Sequence, residues 1–163
     1  MAFPLTVTQT LTAAASPEDL WRAFEAVEQW PTAMRTLAKA KREPAGALAA
    51  GSLIRTRAVR GSDAADRDYR VVTVEKARYL VLAVEDDEYR AVTRYEIVPR
   101  RANDTDLLVT ASLDAVGLMQ SLRFLAWRAR IAPALKTNAR ERAQGLVDLA
   151  ERFAGTPAAT TLS

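Results

Sequence analysis

The sequence predicts an α+β protein in which a run of short antiparallel strands curls around one long C-terminal helix. Three observations carry that expectation. Near the start, TVTQTLTAAASPEDLWRAFEAVEQWP reads as a strand, a capped helix and a Trp-Pro step. At the end, GLMQSLRFLAWRARIAPALKTNARERAQGLVDLAERF reads as a single helix with an apolar stripe. Only short strand-like segments lie between them. A sheet wrapped on a helix in this order encloses a cavity, so the sequence speaks for a container before it speaks for any chemistry.

The elements follow in turn. Leu5, Val7, Gln9, Leu11 and Ala13 alternate loosely, as in a half-buried strand. Ser16 before Pro17, Glu18 and Asp19 is a strong helix start: the serine caps, proline suits the first turn, and the acids complement the helix dipole. Leu20, Phe24 and Val27 then share one face until Pro31, and residues 32–37 are expected to form a second short helix. Residues 41–51 are rich in Pro, Ala and Gly, a loop after a brief strand. Residues 52–59, 68–75, 79–85, 89–98 and 106–114 alternate or run apolar between short polar joins, which is the spacing of an antiparallel meander. The last helix is expected from Gly117 or Leu118, its stripe running through Leu122, Leu125, Ala129 and Leu135 to Leu146 and Phe153. Pro133 removes a backbone donor inside it, so a kink is expected near residues 130–132. Residues 1–155 are read as one domain and 156–163 as a disordered tail.

Composition excludes several kinds of chemistry. Among 163 residues there is no cysteine and no histidine, which removes disulfides, thiolate catalysis and the commonest general base and metal ligand. No Gly-x-Ser-x-Gly elbow and no Gly-rich phosphate loop is present. The 23 basic and 20 acidic residues are interspersed, and no basic patch is interleaved with aromatics, so nucleic acid is not an expected partner. No apolar run is long enough for a membrane span, and the N-terminus lacks the pattern of a secretory signal, so a cytoplasmic protein is expected, as monomer or homodimer. The acidic run Glu85-Asp86-Asp87-Glu88 falls at a hairpin and is read as a solvated turn, with no metal expected.

SPEDLWRAFEAVEQWP, VEKARYLVL, TRYEIVPRRANDTDLLVTASL and the closing LKTNARERAQGLVDLAE together resemble the START-like SRPBCC superfamily, also called polyketide cyclase/dehydratase-like. The likeness spans nearly the whole chain and rests on fold motifs. One departure is Asp104-Thr105, where the family usually has Gly-Thr before the seventh strand. The resemblance implies a helix-grip fold: a seven-stranded antiparallel sheet around the C-terminal helix, with two short helices closing one end. It also implies a cavity for lipids, polyketides or other apolar molecules, in which some members catalyse ring closure and dehydration. One such scaffold hosts many functions.

Candidate site residues come from strand alternation. In residues 89–98, Ala91, Thr93, Tyr95 and Ile97 share a face; in 68–75, Tyr69, Val71 and Thr73 do. The expected cavity wall is Met34, Tyr69, Thr73, Thr93, Tyr95, Leu122, Leu125 and Ala129. Arg55 and Arg57 are candidates to hold a carboxylate or polarise a carbonyl, with Tyr95 as proton donor, but alternation does not decide which face they occupy. The basic, aromatic segment at residues 122–131 is read as packed on the cavity, with its arginines reaching outward. Three functions remain open: a binder of a small hydrophobic or amphipathic ligand with no cofactor, a cyclase/dehydratase-type enzyme, and an interaction or regulatory module with a filled cavity.

Overall fold

A computed structural model describes residues 4–62 and 64–155. The expected tail at 156–163 lies outside the described residues. The elements are β1 (Leu5–Ala13), α1 (Pro17–Glu25), a 3-10 turn (Val27–Thr32), β2 (Leu37–Glu43), β3 (Leu53–Ala58), β4 (Arg67–Glu75), β5 (Tyr79–Glu85), β6 (Tyr89–Arg101), β7 (Asp104–Ala115) and α2 (Leu118–Gly155). The strands form one curved antiparallel sheet in the order β1-β7-β6-β5-β4-β3-β2, and the fold is helix-grip. β2 to β7 are a plain meander. β1 and β2, neighbours in sequence, sit at opposite edges of the sheet, and α1 and the 3-10 turn bridge them.

The capped start of α1 is formed as its residue types require. Ser16 Oγ accepts from the Asp19 N–H at 3.1 Å, and the Asp19 carboxylate accepts from the Ser16 N–H at 3.3 Å. Ser16→Ala removes the cap and is expected to cost about 1 kcal/mol in a urea titration; an unchanged midpoint would show that the cap is redundant. The second short helix differs from expectation. The 3-10 turn covers Val27–Thr32, with Trp30 Nε1 donating to the Ala23 carbonyl at 2.9 Å, and no helix continues through residues 33–36. Leu37 already belongs to β2.

Between α2 and the sheet lies the core, with Leu20, Phe24, Val27, Ile54, Val71, Leu80, Leu107 and Leu146 fully enclosed. Thr105 is fully buried, and its hydroxyl donates to the Ala15 carbonyl at 2.7 Å, tying the β6–β7 hairpin to the entry of α1. The turn itself is made by Ala102 and Asn103, so Asp104 opens β7 and needs no glycine-like backbone. α2 lies close over the 3-10 segment at Gly145, where a Cβ would stand 2.6 Å from Met34 Cγ and 3.2 Å from the Ala33 carbonyl oxygen. α2 runs unbroken through Pro133.

The apolar stripe of α2 needs correction in its first half. Leu122 and Leu125 are 57% and 54% exposed, and Ala129 is exposed too. The inward residue there is Phe124, 2% exposed, packed with Leu5, Ala115 and Tyr89. The reason is angular. Each residue advances about 100°, so a step of three falls short of a full turn by about 60° and a step of four overshoots by about 40°. Stepping from Leu122 to Leu135 through Leu125, Ala129 and Ala132 uses three steps of three, which carries the stripe about 140° around the helix. Leu125, Leu118, Ala129 and Leu122 therefore stand about 80–140° around the helix from Leu135, on its exposed flank, whereas Phe124, Ala139 and Leu146 lie within about 40° of it.

Candidate functional site

The sheet and the second half of α2 enclose a cavity of about 260 Å³. Side-chain size explains why it is there. Two cross-strand rows face inward, Leu82–Thr93–Ala111 and Val84–Ala91–Leu113. Ala91, Thr93 and Ala111 are small, and opposite them α2 presents Ala134 and Ala139. Small residues on both walls leave unfilled space between layers that large residues would close. The volume falls just below the usual range of ligand pockets, about 300–1,000 Å³. Arg67, Ala134, Asn138 and Arg142 are shared with a wide surface depression of about 700 Å³ beside Thr36, Ala64 and Pro133.

Tyr69, Tyr95 and Arg142 form the inner end. They separate the cavity from a second space of about 20 Å³ bounded by Trp30, Met34 and Thr56. Tyr95 is 3% exposed, and its ring packs on Phe24 at 5.8 Å between centroids. Neither tyrosine hydroxyl has a hydrogen-bond partner among the described residues. The only sealed and unpartnered side-chain polar atom described is Trp21 Nε1, so both hydroxyls have access to open space. Burial pushes the Tyr95 phenol up to about 12, with Arg142 pulling the other way and Tyr69 adding to the rise. Tyr95 is therefore a neutral donor at any ordinary pH. The Arg142 guanidinium lies over the Tyr69 ring, 4.8 Å from its centroid.

The sequence-derived wall residues divide on geometry. Tyr69, Thr93 and Tyr95 come together in the cavity, and Met34 borders the small inner space. Thr73 does not reach it. A bulge between Val71 and Thr73 shifts the register of β4 by one, so Val71 pairs with inward Leu82 while Thr73 pairs with outward Val81. Leu122, Leu125 and Ala129 are absent from the lining for the angular reason above. Arg55 and Arg57 are excluded from the interior, since Ile54 and Thr56 occupy the inward face of β3. On the outer face Arg55 pairs with Glu43 at 3.0 Å, and Arg57 approaches Asp68 at 3.6 Å and Asp66 at 3.8 Å. These half-exposed pairs contribute little stability. In the acidic hairpin, Asp86 Oδ1 accepts from the N–H groups of Tyr89 at 2.7 Å and Glu88 at 2.9 Å, which holds its carboxyl below the usual range. That carboxylate is occupied in shaping the turn.

Arg142 is the site residue that sequence reasoning missed. Its signal was available: Arg142 follows Phe124 by 18 residues, about five full turns, and lies among Leu135, Ala139 and Leu146 on the inward arc. An arginine in an apolar stripe is a departure from the pattern, but it was hidden while the stripe was phased on Leu122 and Leu125.

No family model matches the chain, and no curated protein matches it in sequence. Solved structures do. A norcoclaurine synthase point mutant from Thalictrum flavum, in complex with a transition-state analogue, superposes with a TM-score of 0.71 at 11% identity, covering 94% of this chain and 98% of that one. The Zhui aromatase/cyclase from Streptomyces sp. R1128 gives 0.70 at 14% identity, covering 92% and 95%. A START superfamily protein from Mycobacterium smegmatis gives 0.62 at 17% identity, covering 92% and 97%. At these identities the likeness is one of fold: the chain shares the helix-grip architecture of all three.

Proposed function

We propose that this chain binds a small hydrophobic or amphipathic molecule, of lipid, polyketide or aromatic type, in the cavity between the sheet and α2. The observation that carries the reading is the cavity itself: apolar walls of Leu82, Val84, Leu113 and Leu135, with Tyr69 and Tyr95 hydroxyls unpartnered at one end. Apolar burial at about 25 cal/mol per Å² supplies affinity, and the hydroxyls set orientation. The open volume counts against an interaction module with a filled interior.

Native mass spectrometry of the purified protein, followed by organic extraction, tests this. A co-purified apolar compound is the expected result, or else stabilisation by members of a panel of apolar compounds, about 2.7 kcal/mol at a hundredfold excess over Kd. An empty protein that no compound stabilises would overturn the reading.

One observation favours a second reading, an enzyme of cyclase/dehydratase kind. Arg142 and the neutral phenol of Tyr95 face the same enclosed space, where a guanidinium stabilises an enolate and a phenol donates a proton. Arg142 then takes the part that the sequence offered to Arg55 or Arg57. Turnover of a ligand identified by extraction, lost in Tyr95→Phe, separates an enzyme from a binder.

A further inference from the structure

Several arginines of the sheet have acidic partners, Arg55 with Glu43, Arg57 with Asp68, Arg90 with Glu85 and Arg94 with Glu96, and those that have none among the described residues, Arg70 and Arg101, are exposed to solvent. Arg67 at the cavity mouth approaches Asp86 at 3.9 Å. Arg142 differs. It is half-buried, it reaches into the cavity and the inner space, and it makes no hydrogen bond or ion pair among the described residues. It lies over the face of the Tyr69 ring and acts electrostatically on Tyr95. Glu141 and Asp148 flank the outer groove that Arg142 also borders, yet neither pairs with it. A guanidinium carries five N–H donors in a planar fork, and leaving such a group partly desolvated without an acceptor is costly. Arg142 thus brings a planar fork without a protein acceptor to the cavity's inner end, beside two hydroxyls that have no partner among the described residues.

Resting on the container reading above, we infer that Arg142 anchors a single carboxylate (or an equivalent monoanionic oxygen pair) on the cavity ligand. The carboxylate accepts two parallel N–H bonds from the fork, the Tyr69 and Tyr95 hydroxyls lie within the same enclosure, and the apolar body extends between Leu82, Leu113 and Leu135. A monoanion fits better than a phosphate. The other cation of the lining, Arg67, is already engaged by Asp86, so a dianion would leave one charge without a partner.

The test compares matched acids and alcohols: octanoate with octan-1-ol, and 2-naphthoate with 2-naphthalenemethanol, by calorimetry on the full chain at neutral pH. Each acid is expected to bind at least tenfold more tightly than its alcohol. In Arg142→Gln that preference is expected to vanish while alcohol affinity stays within about twofold, and Arg142→Lys is expected to restore part of it. Retained alcohol binding shows that the variant is folded with its cavity intact. Equal binding of acid and alcohol to the native chain, or a preference that survives Arg142→Gln, overturns the anchor and leaves the container standing. Failure of both acids and both alcohols to bind overturns the container reading and the anchor with it.

Discussion

Phe24→Ala is expected to destabilise the protein by about 3–5 kcal/mol, the range for truncating an enclosed aromatic. Against a whole-domain stability of about 5–15 kcal/mol, that is between about a fifth and all of the total. Phe24 is fully enclosed, with its ring edge-on to Trp21 at 5.7 Å and tilted against Tyr95 at 5.8 Å. It joins α1 to β6, and it backs the tyrosine that closes the cavity. Truncation therefore leaves a void and removes two aromatic contacts together. Urea titration measures the loss, with Phe24→Leu as the volume-sparing control, expected to cost under about 1.5 kcal/mol. A loss below about 1 kcal/mol for the alanine variant would mean that α1 does not pack on β6 through this ring.

Alkaline titration is expected to expose Tyr95. An unperturbed phenol ionises near 10, and burial pushes this one up to about 12. Between those values the unfolded chain has released the proton while the folded chain still holds it. Fewer protons are bound in the unfolded state, so stability is unaffected below about pH 10 and falls as pH rises from about 10 to about 12. Two pKa units correspond to about 3 kcal/mol at full effect. Unfolding free energy measured across pH 9–12 is expected to drop more steeply for the native chain than for Tyr95→Phe. Parallel curves would show that the hydroxyl is well solvated in the folded protein.

Both predictions turn on Tyr95, which strand alternation had already placed inward with Thr93. That success has a physical basis. In β6 a period of two, with Tyr95 paired to Leu80 and Val109 on inward faces, leaves no choice of side once the core is known. The cap at Ser16 and the strand order from β2 to β7 were legible for the same kind of reason: they depend on neighbours close in sequence.

Reading failed where a small local event reset the phase of everything after it. One extra residue at the β4 bulge sent Thr73 to the outer face. Three steps of three in α2 rotated the apolar stripe from the exposed Leu122 face to the buried Leu135 face. Arg55 and Arg57 could not be placed by alternation because both faces of β3 carry apolar residues, and only the packing of Ile54 on the core decided the side. The sequence by itself determined the class of fold, the caps, the meander and the exclusion of thiolate and histidine chemistry, since local preferences and residue inventory suffice for those. Only the tertiary structure decided which residues line the cavity and brought Arg142 over Tyr69. Those outcomes depend on the rotation of one layer against another, a quantity that no single segment encodes.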